Sequence, residues 1–271
     1  MLNFSVLLSL YHQEQPENLR QCLASLREQT VRADEIVIVF DGAISPELEN
    51  IVHDFQATLP IHIFRLPHNV GLGKALNIGI QHCTHEWIFR MDTDDIAVAN
   101  RFALQTEFLA QHPHVQLLGG QISEFDDAQP NKQPENRIVP QTHDEIIQFS
   151  KKRNPFNHMT VAYRKTAVQA AGGYQHHWYM EDYNLWLRML ANGVQAANLP
   201  DILVHARTGT AMLQRRRGWQ YVVSEWQLCS LKRRLNVQNH ASALYYFILR
   251  TLPRLLPTSC LKFAYRLLRK A

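Results

Sequence analysis

The chain has 271 residues, of which 46% are hydrophobic and 19% charged, without repeats or biased segments, which excludes low-complexity and collagen-like proteins. Its net charge of +4 is unevenly distributed: no Asp or Glu follows Glu225 whereas nine Lys or Arg do, so the first 225 residues sum to −5 and the rest to +9. Such asymmetry indicates an anionic partner surface, either nucleic acid or an acidic membrane.

Strand-like apolar runs alternate with amphipathic helical patterns through the first 120 residues. Five such runs predict strands, at residues 4–10, 35–40, 61–66, 87–91 and 115–118. Apolar residues recur at helical spacing after Pro16, after Ser45 and Pro46 as N-cap and N1, at about residues 73–83, and after Asn100. Apolar strands joined by helices predict an α/β fold with a mostly parallel sheet and helices on both faces.

Polar residues follow three of these strands at their carboxyl ends. Tyr11 follows the first strand, Asp41 and Gly42 follow the second, and the run 92–95 follows the fourth. Ligands of open parallel sheets bind beyond the carboxyl ends of the strands. We therefore expect the functional site where these residues converge.

The run 92–95 reads Asp-Thr-Asp-Asp. In an extended backbone Asp92 and Asp94 project to one side and can share a cation. Carboxylate oxygens suit Mg²⁺ or Mn²⁺, which would neutralise a departing diphosphate. A solvated loop or a helix N-cap gives the same acidic pattern, so both interpretations stay open.

Residues 68–77, His-Asn-Val-Gly-Leu-Gly-Lys-Ala-Leu-Asn, place two glycines and Lys74 where a loop enters a helix. This arrangement can hold an anion or a ring edge, and its spacing is not that of a P-loop. The alternative interpretation is a left-handed turn followed by a helix.

The chain beyond residue 120 is less regular. A polar, proline-containing stretch at residues 124–140 predicts a long surface loop. The clearest later element is a helix at residues 181–191, which Gly193 ends and which begins with Glu181 and Asp182. Acidic residues at that position stabilise a helix N-terminus whether or not they have another role.

The segments VLLSLYHQE, EIVIVFDGA, NVGLGKALNIGI and FRMDTDDIA, in this order, resemble family 2 glycosyltransferases of the GT-A fold. Three later segments resemble the subgroup that builds bacterial capsule, lipopolysaccharide and exopolysaccharide sugars: RNPFNHMTVAYRK, AGGYQHHWYMEDYNLWLRML and QRRRG. The resemblance covers about residues 3–220. It implies a Rossmann-like nucleotide-sugar-binding half at 1–120 and an acceptor-binding half at 121–220. The remaining residues, 221–271, are expected to form a basic amphipathic helical tail, on the evidence of their charge and apolar pattern.

The resemblance also implies roles for individual residues. In the donor site, Tyr11 and Asp41 would hold the nucleotide base, and Asn69 and Lys74 would border the pocket of that base. Asp92 would face the ribose and the metal, and Asp94 would bind the metal. Arg207 and residues 214–217 would contact the diphosphate. Many members carry two acids after the second strand, whereas this chain has Phe40 and Asp41. An Asx turn with Gly42 is the other interpretation of Asp41.

For catalysis, the resemblance implies that Asp182 is the general base, with Glu181 as the alternative. The expected reaction is metal-dependent, inverting transfer of a hexosyl or N-acetylhexosaminyl group from a nucleotide sugar, expected to be a UDP-sugar, to a saccharide or lipid-linked saccharide. A base that accepts the proton of the acceptor hydroxyl suits a single displacement through an oxocarbenium-like state.

The histidines of the second half allow a different metal hypothesis. The pairs Asn157 with His158 and His176 with His177 lack a recognised zinc spacing, and His205 is a weak third ligand. Acceptor contacts or ordinary loop histidines are the favoured interpretation.

The C-terminal stretch 240–271 mixes apolar and basic residues and predicts two short amphipathic helices, interrupted by Pro253 and Pro257. Such helices either contact anionic lipid or pack on the domain, and both interpretations stay open. No nucleic-acid reader motif accompanies the charge, so nucleic acid is not an expected partner.

The expected location is cytoplasmic, either free or peripheral on the inner face of the membrane. No uncharged apolar run reaches 18 residues, no signal peptide is recognised, and the four cysteines lack CxxC spacing.

Two other functions compete with glycosyl transfer. A nucleotidyltransferase also uses a parallel sheet, a metal and a nucleotide, but this chain lacks a glycine-rich N-terminal phosphate loop. A non-catalytic subunit of a polysaccharide assembly complex is the second alternative. The presence of Asp92, Asp94, Glu181 and Asp182 disfavours it.

Overall fold

A computed structural model describes residues 2–208 and 218–252 and contains one mixed sheet at its centre. The strands are β1 Phe4–Leu10, β2 Glu35–Phe40, β3 Ile61–Arg65, β4 Trp87–Arg90, β5 Ile96–Ala97, β6 Leu117–Phe125, β7 Glu135–Arg137, β8 Ala162–Arg164 and β9 Ala196–Arg207. Their order across the sheet is β3-β2-β1-β4-β8-β6-β9-β5, and β7 pairs with β6. Strands β1 to β4 run parallel, as the sequence predicts.

Helices cover both faces of this sheet. They are α1 Pro16–Arg27, α2 Pro46–Gln56, α3 Leu72–His82, α4 Arg101–Gln111, α5 His143–Ser150, α6 Lys165–Ala170, α7 Glu181–Ala191, α8 Trp219–Arg234 and α9 His240–Thr251, with a 3₁₀ turn at His158–Thr160. The predicted cap is present at α2, where the Ser45 side chain accepts a hydrogen bond from the Leu48 N–H and Pro46 occupies the first turn.

Strand β1 shows how the two cores arise from its sequence. Successive side chains of a strand point to opposite faces, so Val6 and Leu8 enter a core with α1, α2 and α4, while Leu7 enters a second core with α3, α6 and α7. β1 pairs with β2 on one side and β4 on the other, and both of its faces are buried. The carboxyl end of β1 therefore lies between the carboxyl ends of β2 and β4, at the edge where the candidate site forms.

The strand after α4 begins later and is longer than the sequence predicts. It is β6, Leu117–Phe125, and the sequence pattern also does not indicate the two-residue strand β5, which lies before α4. Gly119 and Gly120 lie inside β6, and a Cβ at Gly120 would lie 2.7 Å from Leu203 Cγ of the paired β9. The glycines allow close packing inside a strand. The predicted loop at 124–140 also contains β7.

Strands β5 and β8 run antiparallel to their neighbours, so the sheet is mixed. This outcome agrees with the predicted mostly parallel sheet and with a less regular pattern beyond residue 120. The antiparallel β8 lies beside β4, which brings the second half of the chain against the acidic run at residues 92–95.

The described part of the basic tail packs on the sheet domain. Tyr221, Leu228 and Leu231 of α8 share a small apolar core with Met180, Tyr183 and Leu187 of the α7 region. Of the two helices predicted within 240–271, α9 is present, and residues 253–271 lie outside the described residues. Within the described part of the chain, no helix is both long and apolar enough to cross a bilayer.

Candidate functional site

The carboxyl ends of β2, β1 and β4 are adjacent in the sheet, so the residues after them converge as predicted. Asp41 follows β2, Tyr11 follows β1, and Asp92 follows β4 shortly after Arg90. Tyr11 is partly exposed at this edge, and its ring contacts that of His12.

The acidic run after β4 brings three carboxylates together. Single oxygens of Asp92, Asp94 and Asp95 all lie within 4.8 Å of one another, and they form the one group of at least three such side chains that could hold a metal ion among the described residues. Asp95, which the sequence analysis did not assign, is buried and accepts a hydrogen bond of 2.8 Å from the Arg207 backbone N–H. Its position directly after Asp94 is the feature of the sequence that could have identified it as part of this acidic group.

The electrostatics of this cluster favour a bound cation. Burial, together with the negative charges of Asp92 and Glu14, raises the pKa of Asp94 to about 7. Burial and the negative charges of Asp92 and Asp94 raise the pKa of Asp95 well above its ordinary value. A divalent ion would relieve this repulsion and restore the ionised carboxylates, so the residues fit such an ion.

Arg90 is the buried cation beneath this cluster. Its side chain is 1% exposed and forms an ion pair with Asp92. Burial disfavours the charged form of the guanidinium, but Asp92, together with Tyr174 and Tyr163, more than offsets this and raises the pKa of Arg90. The charge of Arg90 also acts on Asp182, whose pKa it lowers, and on Tyr174. The acidic run therefore pairs with Arg90, and Asp182 at the start of α7 lies within electrostatic reach of the same guanidinium.

Arg207 binds the backbone of the acidic run. Its Nε donates to the Asp94 carbonyl oxygen at 3.0 Å, its Nη2 donates to Gln21 Oε1 at 2.9 Å, and its Nη1 pairs with Asp127. The guanidinium thus has a partner on each of its nitrogens. The predicted diphosphate contact of Arg207 stays a prediction, and residues 214–217 lie outside the described residues.

The Asp41 carboxylate holds the loop that precedes α3. Its two oxygens accept hydrogen bonds from the N–H groups of Val70 at 2.7 Å and Gly71 at 3.1 Å, and its carbonyl accepts one from Asn69 Nδ2 at 3.3 Å. An Asx turn would join Asp41 to residues directly after it, whereas these hydrogen bonds join it to residues 28 to 30 positions later in the chain. Lys74 is exposed on the first turn of α3. Base binding by Asp41 stays a prediction.

Gly42 allows this loop to approach. Its φ is +88°, and a Cβ there would lie 2.7 Å from the Asn69 nitrogen. Glycine is thus required at this position both by the backbone conformation and by the space available.

The start of α3 lies against the start of α7. A Cβ added to Gly73 would meet Glu181 Cγ at 3.4 Å. Further along α3, the Asn77 amide donates to the Tyr174 carbonyl and accepts from the Tyr174 N–H, both at 2.7 Å. A pocket opens at this contact, lined by Leu72, Gly73, His158, Tyr174, Tyr179, Glu181 and Asp182.

Glu181 and Asp182 differ in their surroundings within this pocket. Asp182 accepts hydrogen bonds from Asn154 Nδ2 at 2.6 Å and from the Tyr183 N–H at 2.7 Å. Burial raises the pKa of Asp182 and these donors oppose the rise. Burial raises the pKa of Glu181 to about 7. Asp182 is therefore the carboxylate that neighbouring donors orient. Asn154 was not identified from the sequence.

Tyr179, at the rim of the pocket, has φ of +63° without being glycine. Its ring stacks on that of Tyr221 at 5.7 Å, and its hydroxyl donates to Gln220 Oε1 at 3.2 Å. Such a backbone conformation costs about 1 kcal/mol or more, and contacts with α8 hold it in place. Helix α8 thus helps to shape the pocket.

The histidines considered as metal ligands are dispersed among other contacts. His158 Nε2 pairs with the Tyr174 hydroxyl at 2.9 Å, and burial lowers the pKa of His158 well below its ordinary range. His177 is buried between the Ser224 carbonyl and Asn184. His176 contacts Trp178, and His205 lies in β9. These contacts agree with the favoured non-metal interpretation.

Comparison with known proteins identifies relatives along the whole chain. The profile described as Glycosyl transferase family 2 matches residues 5–174. An uncharacterized glycosyltransferase of Haemophilus influenzae is 52% identical over 98% of each chain. The amylovoran biosynthesis glycosyltransferase AmsE of Erwinia amylovora is 48% identical, over 98% of this chain and 99% of that one. An Escherichia coli protein named UDP-Gal:alpha-D-GlcNAc-diphosphoundecaprenol beta-1,3-galactosyltransferase is 35% identical, over 97% and 95%.

Two solved structures share the fold. Staphylococcus aureus TarS 1–349 in complex with UDP-GlcNAc has a TM-score of 0.69 at 17% identity, covering 92% of this chain and 72% of that one. The mannosyltransferase PcManGT from Pyrobaculum calidifontis in complex with GDP-Man and Mn²⁺ has a TM-score of 0.65 at 16% identity, covering 99% and 81%. These similarities confirm the predicted GT-A fold.

Proposed function

The chain belongs to glycosyl transferase family 2 and is a glycosyltransferase, and we propose that it transfers a hexosyl or N-acetylhexosaminyl group from a UDP-sugar to a saccharide or lipid-linked saccharide acceptor. Family membership sets aside the nucleotidyltransferase and the non-catalytic subunit. The relative named for amylovoran biosynthesis and the one named for a diphosphoundecaprenol acceptor support a role in cell-surface polysaccharide assembly, of the capsule, lipopolysaccharide or exopolysaccharide type.

The observation that carries this proposal is the shared environment of the two acidic groups. Arg90 pairs with Asp92, and its charge also reaches Asp182. The loop before α3 is held by the Asp41 carboxylate, and Gly73 in the first turn of α3 lies against Glu181, the neighbour of Asp182. A donor diphosphate at the acidic run and an acceptor hydroxyl at Asp182 would therefore meet within one site, as a single displacement requires.

We assign the donor end of the site to the residues beyond β1, β2 and β4. Tyr11 and the loop that Asp41 holds would bind the nucleoside, bordered by Asn69 and Lys74. Asp92 and Asp94, with Asp95 beside them, would hold Mg²⁺ or Mn²⁺. When bound, such an ion supplies Lewis-acid neutralisation of the leaving diphosphate. One fold neighbour was solved with Mn²⁺.

Asp182 is the proposed general base. It would accept the proton of the acceptor hydroxyl while that oxygen bonds to the anomeric carbon and the bond to the diphosphate oxygen breaks. Attack from the face opposite the leaving group inverts the anomeric configuration. Burial raises the pKa of Asp182 toward neutral pH, and a base with such a pKa accepts a proton more readily in the transition state. Glu181 is the alternative base.

Substitution of the two acids tests this assignment. Asp182→Asn should lower kcat by about 10²- to 10⁴-fold with donor affinity unchanged, because only the base is removed. Turnover is measured as UDP release from UDP-galactose with a GlcNAc-diphospholipid acceptor, and other UDP-sugars are screened by calorimetry. Asp201→Asn is the matched control, since Asp201 is exposed in β9, away from the pocket. If Glu181→Gln abolishes turnover and Asp182→Asn does not, their roles are exchanged.

The metal assignment is tested by binding alone. UDP should bind weakly in the presence of a chelator, because Asp92 and Asp94 would then repel the diphosphate. Asp94→Asn should reduce the dependence of UDP affinity on Mn²⁺, whereas Asp201→Asn should not. Equal UDP affinity with and without chelator would exclude the metal.

A lipid-linked acceptor would lie at the inner face of the cytoplasmic membrane, and we propose that the enzyme reaches it as a peripheral protein in contact with anionic lipid. The excess of basic residues after Glu225 supports this location, and nucleic acid has no part in the proposal.

A further inference from the structure

Helix α8 has two apolar faces, of which one is exposed. Tyr221, Leu228 and Leu231 point into the core shared with α7. On the other side, Trp219, Val223 and Trp226 recur at positions i, i+4 and i+7 and form one stripe, with Trp219 73% and Trp226 51% exposed. This second stripe has no role in the proposed catalysis.

Helix α9 packs beside α8 and carries exposed apolar residues of its own. Trp226 packs edge-on against Phe247 with ring centroids 5.4 Å apart, which joins the two helices into a hairpin. The exposed apolar residues of α9 and its end lie at i, i+1, i+4, i+5 and i+8: Leu244, Tyr245, Ile248, Leu249 and Leu252. We call these five residues together with Trp219, Val223 and Trp226 the hairpin face. A large number of exposed apolar side chains on two neighbouring helices typically marks an interaction site.

The charge around the hairpin face is basic. Glu225 is the last acidic residue of the chain, and it is buried in a bidentate ion pair with Arg250, with both N–O distances 2.8 Å. Arg233 and Arg234 are exposed at the end of α8. The hairpin therefore offers cations and apolar side chains without an exposed carboxylate in its sequence after residue 225.

We propose that the hairpin face docks on the surface of an anionic phospholipid bilayer. Trp and Tyr rings favour the boundary between headgroups and acyl chains, and exposed arginines attract anionic headgroups. The hairpin face of a second copy would offer no carboxylate from residues after Glu225 to pair with the exposed arginines, which disfavours self-association. The proposal deepens the proposed function and rests on it only for the reason a membrane is needed, namely a lipid-linked acceptor.

Vesicle flotation of the full chain tests the docking. The wild type should float with vesicles of phosphatidylglycerol and phosphatidylcholine and bind much less to phosphatidylcholine alone. Tyr245→Ser combined with Leu252→Ser should lower the partition coefficient at least tenfold. Ile138→Ser is the matched control, because Ile138 is 61% exposed but lies far along the chain from the hairpin, next to β7, and it should float as the wild type does.

The contribution of charge is measured separately. Arg233→Gln combined with Arg234→Gln should lower binding to anionic vesicles by roughly fivefold for each arginine and leave binding to neutral vesicles unchanged. Added salt should reduce wild-type binding in the same direction. Thermal melting and UDP calorimetry on each variant show whether the fold and donor site remain intact, so loss of flotation and failure of the proposed function are separate results.

Other occupants of the hairpin face give distinct outcomes, and each overturns the proposal. If a second copy covers it, the wild type sediments as a dimer, the Tyr245 and Leu252 variant as a monomer, and neither floats. If residues 253–271 cover it, the serine variant floats as well as the wild type. If the wild type binds neutral and anionic vesicles equally, the electrostatic part is wrong.

Discussion

Replacing Arg250 by Met should destabilise the protein strongly, although Arg250 lies in the last described helix. Its guanidinium binds both oxygens of Glu225 at 2.8 Å and donates to the Lys152 carbonyl at 2.9 Å. Glu225 is 2% exposed, so its carboxylate would be left buried without this cation. Breaking a buried pair by removing one partner costs about 3–5 kcal/mol. For a protein of this size, that corresponds to a melting point lower by roughly 6–20 °C.

Thermal unfolding followed by circular dichroism measures this effect. Lys132→Met is the control, because Lys132 and Glu135 form an ion pair at 2.8 Å whose side chains are about half exposed, and it should leave the melting point nearly unchanged. Glu225→Gln combined with Arg250→Met should recover part of the loss, since no buried charge then remains. If Arg250→Met and Lys132→Met melt alike, the pair does not fasten α9 to the domain. Truncation after Asn239 would also remove Arg250, so it tests stability as well as membrane contact.

Two further predictions concern Gly42, which lies against the loop that precedes α3, and the buried Lys232. Gly42→Ala should weaken UDP binding in calorimetry, because its Cβ would meet the Asn69 backbone; Gly193→Ala, with φ of +81° and open space around it, controls for backbone strain alone. Burial lowers the pKa of Lys232 from 10.5 to about 7, so the unfolded chain binds the proton more readily between these values and stability should rise with pH across that window. Lys232→Met should flatten this rise in pH-dependent melting, and an unchanged slope would contradict it.

The fold of the first 120 residues was predictable because its signals are local. Strand β2 and helix α7 occupy the residues that the sequence predicts, since an unbroken apolar run and a helix-ending glycine mark their limits. The convergence of Tyr11, Asp41 and Asp92 follows from strand order, which a parallel α/β pattern largely determines. The roles of these residues still rest on family position.

The partners that orient the site were not predictable, because they come from distant parts of the chain. Asn154 reaches Asp182 across 28 residues, and the Arg207 backbone reaches Asp95 across 112. No periodicity links such positions before the second half folds onto the sheet. The same holds for Gly119 and Gly120, whose need for close packing against β9 appears only when the strands are paired.

Helix α3 explains how the two halves form one site. Its first turn follows the loop held by Asp41, and Gly73 in that turn lies against Glu181. Its middle is fastened to Tyr174 by the two hydrogen bonds of Asn77. A larger side chain at position 73 or the loss of the Asn77 amide would separate the loop held by Asp41 from α7. In the proposed reaction, helix α3 would therefore set the distance between the donor and Asp182, and reacting groups gain most from such fixed placement.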